Sequence, residues 1–490
     1  MKTVLMIGGI DSSGGAGIAQ DVRANNDGQL HTATVCTLVS AQSHSGTQGV
    51  TAVPQALFRQ QLECAFSGAG LRAIKIGALA NDEQAAMIVK HLRLYPNVPV
   101  VWDPIQKSSS GGVLGALSFD SICALLVHTT LLTPNLHELS ALTGMPVNSA
   151  KQQWQAAHNL LGFGCQQVLV KGGHRDNNSQ VFDTLYQHET CWHYVHQHRQ
   201  PFSLRGSGCL LASAVAGALA CDYPVEDAVC IAEAKIAGAY GVAQKIDQHK
   251  AVTSYVPCPP ALSDYPAVYR GFFAANPALN FARLRYASPG LYPVVNSIEW
   301  LARLLPLGVR IIQLRIKTTA STVQRELSRT IKQAVALCAR YSTQLFINDH
   351  WQLAIEHGAF GVHLGQEDLS QANTEHIARA GLRLGVSTHG YAELCRAITL
   401  KPSYIALGHV YPTRTKTMPS LPQGPNRLKA YAALCGDIPT VAIGGINSSN
   451  LDEVLACKVN SVAVVTAITE SATPEATTMA LQKRINHATC

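Results

Sequence analysis

Hydrophobic residues in this chain fall into short continuous blocks, separated by stretches in which they recur every third or fourth position. Blocks of that kind read as buried strands and the recurring pattern as amphipathic helices. In the first half the blocks are Thr3–Ile7, Ala33–Leu38, Ala73–Ile76, Val98–Trp102, Leu131–Leu132 and Val168–Val170. Strands alternating with helices predict an α/β domain with a mostly parallel sheet. Eight blocks follow in the second half: Gly290–Val295, Val309–Leu314, Gln344–Ile347, Phe360–Leu364, Arg383–Val386, Tyr404–Leu407, Thr440–Ile443 and Ser461–Val465. Eight short βα units predict a closed (β/α)8 barrel, also called a TIM barrel. Between the halves the alternation fails. Pro257, Pro259, Pro260, Pro266 and Pro277 interrupt any helix there, and Tyr265, Tyr269, Phe272, Phe273 and Phe281 are interspersed. A flexible linker is poorer in aromatics, so this connector is expected to pack on a domain. The expected division is an N-terminal α/β/α domain over 1–256, a connector over 257–285 and a barrel over 286–490.

Length and composition narrow the class. A chain of 490 residues exceeds what one hydrophobic core organises. Apolar residues make up 47% and charged residues 14%, which fits a globular protein with large buried sheets. The formal charge of +7 comes without a dense Lys/Arg block, so nucleic acid is not an expected partner. Fourteen cysteines lack paired spacing and read as free thiols in a reducing cytoplasm. The opening MKTVLMIGG reads as a buried first strand rather than a signal peptide, and no apolar stretch reaches membrane-span length.

Polar residues gather just after the barrel blocks, the end at which barrel enzymes carry their chemistry. Gln313, Arg315 and Lys317 follow the second block, Asn348 and Asp349 the third, and His363, Gln366 and Asp368 the fourth. Ser387 and His389 follow the fifth, Gly408 to Thr413 with Thr415 and Lys416 the sixth, Gly444 and Gly445 the seventh, and Thr466 and Ala467 the eighth. If the third and fourth strands are parallel neighbours, Asp349 and Asp368 converge on one rim. Paired carboxylates beside Asn348, His363 and Gln366 suit Mg²⁺ and phosphate. Singly, Asp349 also reads as a helix cap, Asp368 as a turn residue and His363 as a satisfied core histidine.

Two glycine-rich turns mark the first half. Gly8 to Gly17 is expected to lead from the first strand into a helix. Gly206-Ser207-Gly208-Cys209 precedes the small-residue helix LLASAVAGALA. Backbone N–H groups at such a helix start can hold a phosphoryl group, although either turn also reads as a plain tight turn. Neither is a dinucleotide fingerprint or a Walker A loop.

In order, Gly9-Ile10-Asp11-Ser12-Ser13-Gly14-Gly15-Ala16-Gly17-Ile18 with Asp21, Ser40-Ala41-Gln42, Lys75-Ile76-Gly77, Asp103-Pro104, Thr133-Pro134-Asn135 with Glu138, Lys171-Gly172-Gly173-His174 and Gly206-Ser207-Gly208-Cys209 resemble the ribokinase-like hydroxymethylpyrimidine (phosphate) kinases. The resemblance implies that Asp21 and Gln42 contact the pyrimidine, that Asp103 and Glu138 act near Mg-ATP, and that Lys171 acts near its phosphates. It also implies that Gly206 to Cys209 form an anion hole with Cys209 as catalytic base. A helix N-terminus favours a thiolate there, while Cys209 also reads as a small buried residue starting a packed helix. Ala78, Gln106 and Arg205 depart from the family, which usually has Met, Met and His at those places.

The second half carries Gln313-Leu314-Arg315-Ile316-Lys317, Ile347-Asn348-Asp349, Gly361 through Asp368, Gly385-Val386-Ser387, Pro412 through Lys416 and Ile443-Gly444-Gly445-Ile446, and resembles the thiamine-phosphate synthases. Ile316 stands where Glu is usual, Asn296 where Asp is common, and Thr417-Met418-Pro419 is atypical. The resemblance implies Mg²⁺ on Asp349 and Asp368, charge compensation of a leaving diphosphate by Arg315, Lys317 and Lys416, and pyrimidine or diphosphate contacts from Gln313 and Ser387. It further implies amides of Gly444, Gly445, Thr466 and Ala467 on a thiazole phosphate, with Asn348, His363, Gln366, Thr413 and Thr415 completing the site. Together the halves imply a cytoplasmic bifunctional enzyme of thiamine biosynthesis that uses ATP and Mg²⁺ and acts on small molecules, with homo-oligomerisation left open. The alternatives are a synthase fused to a kinase of another alcohol, such as a pyridoxal-type substrate, or to a non-catalytic ribokinase-like module.

Overall fold

The alternating blocks become strands in two separate units, residues 1–273 and 274–490. The computed structural model describes residues 1–26, 28–43, 46–107, 112–172, 180–196, 202–271, 279–317, 323–414 and 421–488. Strands of the first unit are β1 (Thr3–Asp11), β2 (His31–Gln42), β3 (Thr47–Ala52), β4 (Leu71–Ile76), β5 (Val100–Trp102), β6 (Leu131–Leu132), β7 (Val168–Val170), β8 (Val181–Tyr186), β9 (Cys191–His196), β10 (Ser203–Leu204), β11 (Gln244–Lys245), β12 (Lys250–Val252) and β13 (Ala267–Arg270). Ten of them form one sheet in the order β13-β9-β8-β7-β6-β5-β4-β1-β2-β3, and β10-β12-β11 form a small second sheet. The run from β2 to β7 is parallel, while β3, β8, β9 and β13 join antiparallel at the two edges.

All six expected strands of this unit are present. The edge strands β3, β8, β9 and β13 are additional, because TQGVTA, VFDTLY, CWHYVH and AVYR mix polar with apolar residues instead of forming apolar blocks. The connector therefore contributes β13 to the sheet, antiparallel to β9. One boundary needs correction. The first glycines do not form the turn, since β1 runs through Gly8 and Gly9 to Asp11. Their service is close approach: a Cβ on Gly9 would lie 2.6 Å from the Leu38 side chain of β2.

Strands of the second unit are β14 (Gly290–Val295), β15 (Ile311–Leu314), β16 (Gln344–Asn348), β17 (Gly361–Leu364), β18 (Arg383–Thr388), β19 (Tyr404–Leu407), β20 (Thr440–Ala442) and β21 (Ser461–Val464). They close in sequence order into a parallel barrel. Leu284, Tyr292, Ile311, Phe346, Tyr404, Ala406, Val441 and Ala463 share its apolar core. Side chains alternate along a strand, so the residue two places on from an inward one also faces inward. Ile311 is thus followed by Gln313, and Phe346 by Asn348. The interior is apolar near the strand starts and polar near their ends.

Two glycines make room for the large rings. A Cβ on Gly361 would meet the Phe346 ring at 2.4 Å, and one on Gly385 the Tyr404 ring at 2.2 Å. The strand-start end is covered by the segment before β14. There Ser403 Oγ donates to Ala282 O (2.6 Å) and Arg285 N to Gln344 Oε1 (2.8 Å). The guanidiniums of Arg285 and Arg383 stack on the Phe360 ring at 5.0 and 4.4 Å. Among the described residues, no helix is long and apolar enough to cross a membrane.

Candidate active sites

In the first unit the candidate site lies past the C-terminal ends of the parallel strands, where open α/β sheets bind ligands. Asp103 follows β5, Thr133 follows β6 and Lys171 follows β7. Lys171 Nζ donates to Asp103 Oδ1 at 2.8 Å and lies 3.8 Å from Glu138 Oε2. Thr133 Oγ1 donates to the same Asp103 oxygen at 3.1 Å. Glu138 is fixed by a capping box at the start of helix Leu136–Thr143, its Oε2 accepting from Asn135 N at 2.8 Å.

Burial alone would push Lys171 down, but Asp103 and Glu138 outweigh it, so the ammonium is held above its ordinary range. Asp103 is fully buried and its Oδ2 has no hydrogen-bond partner among the described residues. An orphan carboxylate oxygen beside a cation is a costly arrangement, and it suits a ligand that brings positive charge.

The second glycine turn faces this cluster. A Cβ on Gly208 would lie 3.2 Å from Lys171 Nζ and 3.6 Å from Asp103 Oδ2. Gly206 N-caps the helix Ser207–Ala220 at φ +74°, and a Cβ there would strike Gly15 O at 2.3 Å. That helix is almost wholly buried, whereas Gly206, Ser207 and Gly208 keep part of their surface at its N-terminus. The start of this helix, with its amides and its dipole, therefore faces Lys171 and Asp103. Cys209 sits behind them, and burial pushes its thiol up to about 11 despite the nearby Lys75 ammonium. The expected thiolate is corrected accordingly: desolvation outweighs the helix terminus and the cation.

The expected pyrimidine contacts separate. Asp21 has no exposed surface, and both its oxygens accept from Lys75 Nζ at 2.9 Å, with Ser213 Oγ donating at 2.7 Å. Asp21 is thus reassigned from ring ligand to counter-charge for a buried lysine. Gln42 remains half-exposed. Its Oε1 accepts from Arg205 Nη2 at 2.9 Å and its Nε2 donates to Ser40 Oγ at 2.6 Å. Arg205, standing where the family has His, also reaches Asp11 Oδ2 at 3.0 Å. Gly173 and His174 lie outside the described residues.

In the second unit, Asn348 of β16 stands in register with His363 of β17, and Asp349 N donates to His363 O at 3.0 Å. Asp368 lies in the short helix Gln366–Gln371 immediately after β17, its Oδ2 folded back to 3.2 Å from the Cβ position of Gly365. Both carboxylates therefore stand at the same end of neighbouring parallel strands, as the sequence leads one to expect. Asp349 has φ +63°, a left-handed conformation that Asp tolerates better than most residues. Its carboxylate accepts from Asn348 Nδ2. Strain of this kind gathers where a side chain must be aimed. All-oxygen donors of this set fit a hard divalent cation, although no group of three or more His, Cys, Asp or Glu that could hold a metal occurs among the described residues.

Around this pair, Gln313 is buried on β15, and Arg315 and Lys317 follow at its end, half-exposed and exposed. Ser387 belongs to β18 itself, which runs to Thr388, rather than following the strand. The β20 turn packs on the β19 turn: Cβ atoms on Gly444 (φ +103°) and Gly445 (φ +68°) would meet His409 Cβ at 2.4 Å and Pro412 O at 2.5 Å. Thr413 is half-buried nearby, and Thr466 and Ala467 open the short helix after β21. Thr415 and Lys416 lie outside the described residues.

Two expected ligands face the protein instead. Gln366 is buried, its Nε2 donating to Ser387 O (2.7 Å) and its Oε1 accepting from Arg396 Nη1 (2.8 Å). It braces its helix against β18. His363 is buried with Nδ1 2.8 Å from Tyr404 OH and Nε2 2.7 Å from Ser387 Oγ. Both are corrected to supporting positions, because their polar atoms are already engaged. Sequence reasoning missed Tyr292, Tyr404 and Arg396, and quoted Lys75 in a motif without giving it a role. Only strand alternation could have flagged the tyrosines, as inward residues at the apolar end of the barrel.

Comparison with known proteins bears on each unit. A family model described as phosphomethylpyrimidine kinase matches residues 11–254, and one described as thiamine monophosphate synthase matches residues 291–468. The chain is 59% identical over 182 residues to the thiamine-phosphate synthase of Serratia proteamaculans, across 37% of this chain and 84% of that protein. Among solved structures it is similar to the pyridoxal kinase of Staphylococcus aureus in complex with AMP-PCP and pyridoxal. That likeness has 26% identity and a TM-score of 0.49, over 55% of this chain and 98% of that one. It is also similar to the phosphomethylpyrimidine kinase of Clostridium difficile, with 29% identity and a TM-score of 0.41, over 47% of this chain and 96% of that one.

Proposed function

Because the chain belongs to the thiamine-phosphate synthase family and carries a phosphomethylpyrimidine kinase domain ahead of it, we propose the following division of chemistry between its two units. The protein is a bifunctional transferase of thiamine biosynthesis. Its first unit phosphorylates hydroxymethylpyrimidine and then the monophosphate with ATP. Its second condenses the resulting diphosphate with thiazole phosphate, releasing pyrophosphate. The family models do not favour a kinase of a different alcohol.

In the kinase step the substrate oxygen forms a bond to the γ-phosphorus as the bond to the ADP oxygen breaks, and the hydroxyl proton of the unphosphorylated pyrimidine passes to the transferred phosphate and on to solvent. The amides at Gly206 to Cys209 and the Lys171 ammonium would hold the transferring group, which is most of what phosphoryl transfer requires. Asp103 and Glu138 would hold Mg²⁺, which when bound neutralises phosphate charge. With its thiol pushed up to about 11, Cys209 is a weak base at neutral pH. The burden therefore falls on the amides and Lys171. Gln42, half-exposed at the end of β2, would lie beside the pyrimidine ring.

In the condensation the methylene–oxygen bond breaks with its electron pair leaving on diphosphate, and the thiazole nitrogen lone pair forms the new C–N bond. No proton is lost, so no general base is needed. Asp349 and Asp368 would hold Mg²⁺, and Arg315, Lys317 and Lys416 would offset the leaving charge. Gly444, Gly445, Thr466 and Ala467 would bind the thiazole phosphate, with Gln313, Asn348, Ser387, Thr413 and Thr415 around the pyrimidine and diphosphate.

The observation that carries this reading is the position of Asp349 and Asp368 at one end of neighbouring parallel strands. The described cysteines are free thiols, which supports a cytoplasmic setting. An ATP-dependent assay comparing hydroxymethylpyrimidine, its monophosphate and pyridoxal tests the kinase half. Turnover of both pyrimidines is expected, and turnover of pyridoxal alone would overturn it.

A further inference from the structure

A chain of buried polar side chains crosses the barrel beneath Ser387. Tyr292 OH of β14 is 2.8 Å from Tyr404 OH of β19, which is 2.8 Å from His363 Nδ1 of β17. His363 Nε2 is 2.7 Å from Ser387 Oγ of β18. The His363 ring also stacks on Tyr404 at 5.7 Å, with only 16° between their planes. Tyr292 and Tyr404 are fully enclosed, and burial keeps both phenols protonated. Each therefore has one hydrogen to donate.

The bonding direction follows from counting donors. Tyr292 OH has Tyr404 OH as its hydrogen-bond partner among the described residues. If Tyr292 donates to Tyr404, the Tyr404 hydrogen is directed to His363 Nδ1, which must then be the unprotonated acceptor. The imidazole proton is on Nε2 and is given to Ser387 Oγ. With its oxygen accepting from His363, half-exposed Ser387 keeps its own hydrogen to donate elsewhere. In the opposite direction, His363 Nδ1–H would donate to Tyr404 and Tyr404 to Tyr292. The Tyr292 hydrogen would then be buried without an acceptor, and Ser387 would spend its hydrogen on Nε2. Buried donors are satisfied wherever the geometry allows.

We propose that the Tyr292–Tyr404 pair fixes His363 as its Nε2-protonated tautomer and so makes Ser387 a dedicated hydrogen-bond donor to the leaving diphosphate. Tyr292, Tyr404 and His363 are positioning residues, and Ser387 alone meets the substrate. Its hydrogen bond strengthens as the methylene–oxygen bond breaks and charge gathers on the departing oxygen. The hydrogen stays on Ser387, and the electron pair leaves with diphosphate. The relay needs Gly385, whose missing side chain admits the Tyr404 ring.

This inference rests on the synthase reading of the barrel, and its test separates the two. The full chain, labelled with ¹⁵N-imidazole histidine, gives the His363 tautomer from long-range ¹H–¹⁵N spectra at pH 7, with His363→Gln used to assign the ring. A proton on Nε2 and a bare Nδ1 are expected. Protonation on Nδ1, or on both nitrogens, would overturn the relay without any reference to turnover. Tyr404→Phe should lower kcat for coupling of supplied pyrimidine diphosphate with thiazole phosphate about ten- to hundredfold. Both KM values should stay within about threefold, since groundstate contacts remain. An unchanged kcat in the folded variant would also overturn the relay. A wild-type protein that makes no thiamine phosphate from those substrates would instead remove the synthase reading.

Discussion

Asp103→Asn in the kinase unit gives the sharpest test of how this site uses its charge. The carboxylate is fully buried, with Oδ1 bonded to Lys171 Nζ at 2.8 Å and Thr133 Oγ1 at 3.1 Å, and with Oδ2 unpartnered among the described residues. Replacing the charge turns an ion pair into a hydrogen bond from the Lys171 ammonium to a neutral amide oxygen, a loss of about 1 kcal/mol. Neutralising the buried carboxylate recovers part of that, because the desolvation of its charge no longer has to be offset, while the Nδ2 amide takes over the unpartnered position. Glu138, 3.8 Å from Lys171, still faces the ammonium. The net effect on stability is therefore small, about 1 kcal/mol in either direction, or a few degrees in Tm. Activity should respond far more. Loss of a preorganised charge at the phosphates is worth about 3 kcal/mol or more, a hundredfold or greater drop in phosphorylation. Phosphorylation of hydroxymethylpyrimidine at saturating Mg-ATP is the assay, with coupling of supplied diphosphate by the same polypeptide as its internal control. Kinase activity within threefold of wild type, or a parallel fall in coupling, would refute the reasoning.

Other consequences are as direct. Asp349→Ala should abolish coupling and spare phosphorylation, and unchanged coupling would eliminate its metal role. Cys209→Ala should slow phosphorylation less than about tenfold, because a thiol at about 11 is ionised in only about one molecule in ten thousand at pH 7. In the wild type, thiolate rises about tenfold per pH unit below 11. A kinase rate following that slope between pH 7 and 9 would make Cys209 the base after all. Gly385→Ala should destabilise the barrel by about 1–3 kcal/mol, since its Cβ would lie 2.2 Å from the Tyr404 ring. Thermal denaturation and coupling kinetics would report it, and a neutral result would mean the ring can move aside.

The barrel was legible because all eight of its strands are near-continuous apolar runs with polar residues at their ends, as buried parallel strands must be. The same logic found the parallel centre of the first sheet. It passed over β3, β8, β9 and β13, where Gln48, Asp183, His193 and Arg270 in turn interrupt the apolar pattern. Residues that touch a ligand and residues that hold them look alike in sequence. Asp21, His363 and Gln366 carry suitable chemistry, yet their atoms are engaged by Lys75, by Tyr404 with Ser387, and by Ser387 with Arg396. Those partners are distant in the chain, from 21 to 54 residues away. Only the register of strands and the depth of burial reveal them. The Cys209 thiol is a similar case. Its place at a helix start argues for a lowered pKa, but the helix is buried along nearly its whole length, and desolvation prevails.

The central claim is that one polypeptide carries out both stages. The purified full chain, supplied with unphosphorylated hydroxymethylpyrimidine, thiazole phosphate and Mg-ATP, should release thiamine phosphate with two ADP formed per molecule of product. Formation of thiamine phosphate only when pyrimidine diphosphate is supplied ready-made would contradict the kinase assignment, and no thiamine phosphate under either condition would contradict the account as a whole.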